Sequence, residues 1–97
     1  MESEQNRGWE LFIALCRQPS MHKKFNELFG LLLTSEERSS LSTRCLLIQA
    51  LLEDKMTQRE IAEEFNISIS KITRGSNALK LIDSQLRKDL IKFFTSK

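Results

Sequence analysis

Residues 57–80 read TQREIAEEFNISISKITRGSNALK. Apolar residues recur here at helical spacing, with a break near Asn66, so the stretch reads as two short helices joined by a tight turn. With Gln58 as the first position of a helix-turn-helix, Ile61 is a buried fourth residue, Ala62 the small fifth where two helices cross closely, and Phe65 a buried eighth. Asn66 falls on the turn, where a left-handed backbone is needed. Glycine is usual at such a turn, and asparagine is the next most tolerant residue. Ile67 packs after the turn, Ser68 caps the second helix, and Ile72 is its buried fifteenth position. A generic helical hairpin is the alternative, but it does not ask for each residue type at its own place.

Gly75 breaks the pattern. It lies at the eighteenth position, where such motifs usually bury an aliphatic side chain. A mid-helix glycine costs about 1 kcal/mol against alanine, and an unfilled cavity costs more. Either a neighbouring element packs tightly there, or something other than a side chain fills the space. Arg74 sits beside it, and Arg44, on a long preceding helix, could approach from the other side. Two guanidiniums around a space suit a flat aromatic bearing a carboxylate: stacking holds the ring, and a charge-assisted pair holds the acid.

In this motif the second helix enters the major groove of DNA N-terminus first. Ile69, Ser70 and Lys71 should then face base edges, with Thr73 and Lys80 as backbone contacts. Gln58 and Arg59 can reach phosphates from the start of the first helix. Between Ser68 and Lys80 the chain carries Lys71, Arg74 and Lys80 and no acid. Each charge alone reads as a solvated face; together, on one motif spanning residues 58–81, they favour DNA. A helical interaction module with a degenerate motif is the alternative from another class, and salt-dependent DNA binding separates the two.

Outward from the motif, helical periodicity continues. Trp9, Phe12, Ile13 and Cys16 mark one face of a first helix, which Pro19 must end. Phe25, Leu28, Phe29 and Leu32 mark a second. Thr34-Ser35-Glu36-Glu37 is a capping box that opens the longest helix, running to about Glu53 with Leu41, Cys45, Ile48 and Leu52 on one face and Leu47 and Leu51 widening it. Asp83 or Ser84 caps a last helix with Leu86, Leu90 and Phe93 or Phe94 as its stripe. The fold class is therefore all-α, six short helices in a single DNA-binding domain over residues 1–97. Trp9, Phe12, Phe93 and Phe94 make the terminal helices more apolar than a monomer needs, and an intertwined homodimer is the economical way to cover them.

A chain of 97 residues with a net charge of +2 has no basic tail that would bind nucleic acid by itself. Cys16 and Cys45 have the wrong spacing for a zinc cluster, and His22 adds no second ligand set, so no metal is expected. Both cysteines fall on apolar stripes and read as reduced packing residues, which suits a reducing cytoplasm. No apolar run is long enough to span a bilayer, so no membrane association is expected and the localisation is cytoplasmic. One histidine and no paired-carboxylate, nucleophile or phosphate-cradling constellation argue against an enzyme.

The chain resembles the tryptophan repressor family over roughly Trp9 to Lys80. The residues that carry the resemblance are LTSEERSSLSTR (Leu33 to Arg44), MTQRE (Met56 to Glu60) and, longest and most specific, ITRGSNALK (Ile72 to Lys80). The groove-entry rule for the second helix was itself drawn from proteins that include the Trp repressor. The resemblance implies a six-helix intertwined homodimer that takes L-tryptophan as corepressor and then binds operator DNA, with no other cofactor, at genes of tryptophan biosynthesis or uptake. Position by position, it implies that Arg44 and Arg74 sandwich the indole, Arg74 also pairs with the carboxylate, and Gly75 forms the pocket floor. The backbone carbonyls of Leu31 and Leu33, with Thr34 nearby, would receive the ammonium from the other subunit. The chain departs from the family pattern at Ala78, where relatives can carry a serine near the pocket, and at Ala62, where relatives carry a basic residue. It departs again at Lys71, in place of a smaller hydroxyl residue, and in the turn Asn66-Ile67-Ser68. Ligand choice should survive these changes better than operator sequence. A regulator of the same fold that is constitutive, or that uses a different small ligand, is the alternative.

Overall fold

Asn66 sits at φ 53° and ψ 51°, in the left-handed region. Its amide and that of Ile67 both donate to the carbonyl of Ala62, the latter at 3.1 Å, which closes one helix so that another can begin. The computed structural model, which describes residues 3–96, is helical throughout with no strand among those residues. Six α-helices follow one another: α1 Glu4–Arg17, α2 Phe25–Leu32, α3 Ser35–Glu53, α4 Gln58–Phe65, α5 Ile69–Leu81 and α6 Ser84–Thr95. A short 3-10 turn, Pro19–Met21, lies between α1 and α2.

Most of these helices start where a short polar side chain satisfies amides that have no intrahelical partner. Ser3 Oγ accepts from the Asn6 amide at 3.1 Å. Thr34 Oγ1 accepts from the Glu37 amide at 3.1 Å while Glu37 Oε1 accepts from the Thr34 amide at 2.9 Å, a closed capping box at α3. Thr57 and Glu60 repeat the arrangement at α4, with bonds of 3.1 and 2.8 Å. Ser68 Oγ accepts from the Lys71 amide at 3.3 Å, and Asp83 Oδ2 accepts from the Gln85 and Leu86 amides at 3.1 and 3.3 Å. At the far end of α3, Asp54 takes φ 53°, a left-handed position that no glycine or asparagine announces.

The residues fall into two compact units, one up to Arg38 and one from Ser39 on. In the first, aromatic rings join α1 to α2: Trp9 and Phe12 lie 5.5 Å apart, Phe12 and Phe29 5.9 Å, and Phe25 stacks on Phe29 at 5.1 Å. Neither helix has a buried residue, and Trp9 and Leu31 stay 64% and 81% exposed.

The second unit holds the core. Ile61 and Ile72 are its most enclosed side chains, at 1% and 0% exposure, and Leu47, Ala50 and Ile67 complete it. Ile61, Ile67 and Ile72 are the residues the helix-turn-helix spacing marks for burial; Phe65 is half-buried and packs on the same cluster. Each such aliphatic side chain contributes about 1.5–3 kcal/mol when fully buried. Arg87 fastens the start of α6 to the end of α5 by donating to the Leu79 carbonyl at 3.1 Å.

The face of α3 differs from the expected stripe. The chain buries Leu47 and Ala50 and half-buries Leu51, at i, i+3 and i+4, whereas Leu41 and Cys45 are exposed. The small side chain of Ala50 is what lets the α3 backbone come close to the isoleucine core, and a reading that weights large residues passes over it. Cys45 is accordingly not packed within this chain; Cys16 is half-buried, and both are free thiols. Among the described residues no helix is long and apolar enough to cross a membrane.

The turn makes a direct prediction. Asn66→Ala should destabilise the chain by about 1–2 kcal/mol, the cost of holding an ordinary L-residue left-handed, whereas Asn66→Gly should match or exceed wild-type stability. Urea unfolding of both variants measures this; an alanine variant as stable as the glycine variant would remove the backbone argument.

Candidate functional site

The start of α5 presents a mixed surface. Ser68 fixes the first turn, and behind it Ile69 is 51% exposed, with Ser70, Lys71 and Thr73 also exposed. A large aliphatic left in water at a capped helix start, flanked by donors, is a surface suited to base edges and thymine methyls. Lys80 is exposed in the last turn of the same helix. Gln58 and Arg59 are exposed in the first turn of α4, where the capping box orients the backbone.

That capping box also acts on Glu60. The Thr57 amide, and then the Thr57 hydroxyl, stabilise the charged carboxylate and hold the Glu60 carboxyl below its ordinary pKa. A carboxylate with a depressed folded-state pKa adds stability above its unfolded pKa, and that contribution drains away as pH falls through the lowered value. The orientation of the α4 start is thus complete near neutral pH and weakens in acid.

A pocket of about 640 Å³ opens beside α5. One wall is α3, which contributes Ser39, Ser40, Thr43, Arg44, Leu47 and Ile48. The other wall is α5, with Lys71, Arg74, Gly75 and Ala78, and Phe65 at the end of α4 lines the pocket together with the turn residues Asn66 and Ile67. The volume is in the range of small-ligand sites, which run from about 300 to 1,000 Å³. Arg44, Arg74 and Gly75, named from sequence as partners around a space, do line one pocket. Leu31, Leu33 and Thr34 belong to the other unit. Leu31 lies in the last turn of α2 and is exposed, Leu33 follows the helix in an extended conformation, and Thr34 is occupied in the capping box. The Thr34 hydroxyl accepts a bond there, which leaves its own proton free to donate.

Gly75 has a packing role that corrects the expectation of an empty space. A Cβ placed on it would lie 3.0 Å from Leu47 Cδ2 and 3.6 Å from Leu51 Cδ1. The missing side chain therefore lets α5 approach α3, and the pocket opens alongside this contact rather than inside a void. Sequence spacing also missed Ser39, Ser40 and Thr43. Part of the signal was present: Ser40 stands four residues before Arg44, and Thr43 four before Leu47, which puts each pair on one face of α3. Lys71 was placed only toward DNA, yet it lines the pocket as well.

Comparison with known proteins adds to this geometry. Residues 7–93 match the family described as Trp repressor protein. The chain is similar to a Trp operon repressor homolog of Chlamydia trachomatis serovar D, 45% identical over 95% of this chain and 98% of the relative. It is similar to another of the same description from Chlamydia caviae, 47% identical over 92% of this chain and 87% of the relative. A third, from Histophilus somni strain 2336, is 39% identical over 82% of this chain and 76% of the relative.

Proposed function

The chain belongs to the Trp repressor family, and from that premise we propose that it is a transcriptional repressor whose helix-turn-helix binds operator DNA when L-tryptophan occupies the pocket between α3 and α5. It has no catalytic role. The observation that carries the reading is the grouping of Arg44, Arg74 and Gly75 around one pocket whose second wall is the DNA-reading helix itself. A ligand there touches the helix whose position decides binding.

Arg44 and Arg74 stack on the two faces of the indole, and Arg74 also pairs with the carboxylate. Gly75 gives the ring a surface without a side chain. The ammonium goes to the carbonyls of Leu31 and Leu33, with Thr34 nearby, from a second copy of the chain. Exposed Trp9, Leu31 and Phe93 supply the apolar area such a homodimer would cover. The mechanism is a population shift. Tryptophan favours the form whose two α5 helices stand one DNA turn apart, about 34 Å, a spacing rule known from repressors of this family among others. Linkage then requires DNA to raise tryptophan affinity by the same factor. The relatives' description, Trp operon repressor homolog, supports genes of tryptophan biosynthesis or uptake as targets.

Ile69, Ser70 and Lys71 read bases, and Gln58, Arg59, Thr73 and Lys80 hold the DNA backbone. Lys71→Ala should therefore change sequence preference more than overall affinity, since a good base contact discriminates by about 1–3 kcal/mol. Weaker binding on all sequences with a shallower salt slope would make Lys71 a phosphate contact instead. For the ligand, calorimetry with L-tryptophan and with indole analogues tests the reading. Saturable heat with L-tryptophan is expected; heat with an analogue alone, or with neither, would point to a different ligand or to a constitutive regulator.

A further inference from the structure

The pocket has an unusual charge balance. Arg44 comes from α3, and Lys71 and Arg74 come from successive positions of α5 one turn apart, yet no aspartate or glutamate lines the pocket. Among the described residues no ion pair is seen at Arg44, Lys71 or Arg74. Two guanidiniums already suffice to stack on a ring and to pair with one carboxylate. Lys71 is a further positive charge lining the pocket, exposed and on a long flexible stem.

We propose that Lys71 is a specificity-determining residue of the ligand pocket: in the chain free of DNA its ammonium holds the ligand's carboxylate and disfavours aromatic amines that lack one. The proposal rests on the tryptophan reading of the pocket and deepens it. A carboxylate at the Arg74 end lies within the field of all three cations and relieves their mutual repulsion. A ligand with the same ring and ammonium but no carboxylate adds a fourth positive charge. The pocket therefore selects aromatic carboxylates by charge as well as by shape, and Lys71 links that selection to the helix start that faces DNA.

The test is a double-mutant cycle between Lys71 and the ligand's carboxylate, run by calorimetry on the full chain without DNA. The ligands are L-tryptophan and L-tryptophan amide. Lys71→Gln should weaken L-tryptophan roughly two- to fivefold, the range for a solvent-accessible charge pair. It should leave the amide unchanged or slightly tighter. Lys71→Arg should keep the wild-type preference. Equal changes with both ligands would make Lys71 a shape element, and no change with either would leave it to DNA alone; each result overturns the inference. A wild-type chain that takes up no L-tryptophan overturns the tryptophan reading, and this inference with it.

Discussion

Arg74→Ala is expected to remove tryptophan binding while leaving the fold intact. Arg74 is exposed on α5 and makes no ion pair among the described residues, so its loss leaves no buried group unpaired. Its proposed contribution to the ligand is double. Hydrogen bonds to charged groups contribute about 1.5–3 kcal/mol, which alone is tenfold or more in affinity. Cation–π stacking adds about 0.5–1 kcal/mol at an accessible site. Calorimetry should show at least a tenfold loss, and circular dichroism and the unfolding midpoint should not move. Near-wild-type affinity would take Arg74 out of the site.

Gly75→Val has the second large effect, and it acts on two properties at once. The first β-carbon would already stand 3.0 Å from Leu47 Cδ2, and valine's methyl groups add further bulk against the same face. Overpacking of this kind costs about 1–3 kcal/mol. Valine's better helix propensity returns only a few tenths of a kcal/mol. The variant should fold with reduced stability and should not bind tryptophan, because the smooth face at Gly75 is also the proposed floor for the indole. Gly75→Ala is milder: Leu47 must give way by a small shift, and alanine regains about 1 kcal/mol of propensity. Adding Leu47→Ala to Gly75→Val makes room for the methyl groups. Leu47 is itself a core residue, so wild-type stability should not return, but the double variant should cost less than the sum of the two single changes while tryptophan binding stays lost. A double variant that binds tryptophan normally would show that Gly75 serves only the contact between α3 and α5.

The helix-turn-helix was legible in the sequence because each of its positions has its own chemical requirement. Asn66 is where a left-handed residue must be, Ser68 is where an amide needs an acceptor, and Ile61 and Ile72 have no alternative to burial. The helix start at Thr34 was legible for the same reason, since a capping box is a local event. The packing face of α3 was not. Leu41, Cys45, Ile48 and Leu52 form as good a stripe as Leu47, Ala50 and Leu51, and only the arrival of α4 and α5 decides which is covered. The pocket was partly legible. Arg44, Arg74 and Gly75 could be grouped because a glycine stands beside Arg74 where the motif usually buries an aliphatic residue, but hydroxyls such as Ser39 and Thr43 look like any solvated face until a second wall stands opposite them.

Tryptophan-dependent DNA binding is the central claim, and one measurement tests it most directly. The purified chain is incubated with random-sequence duplex oligonucleotides, with and without L-tryptophan, at fixed salt. Bound DNA is separated by mobility shift and sequenced. With tryptophan, the account predicts enrichment of a two-fold-related sequence whose half-sites lie about one helical turn apart. Without tryptophan, retained DNA should fall toward the non-specific level, with no enriched sequence. Equal enrichment under both conditions would contradict the account by making the protein a constitutive binder, and no DNA retained under either would contradict it by removing the helix-turn-helix from DNA altogether.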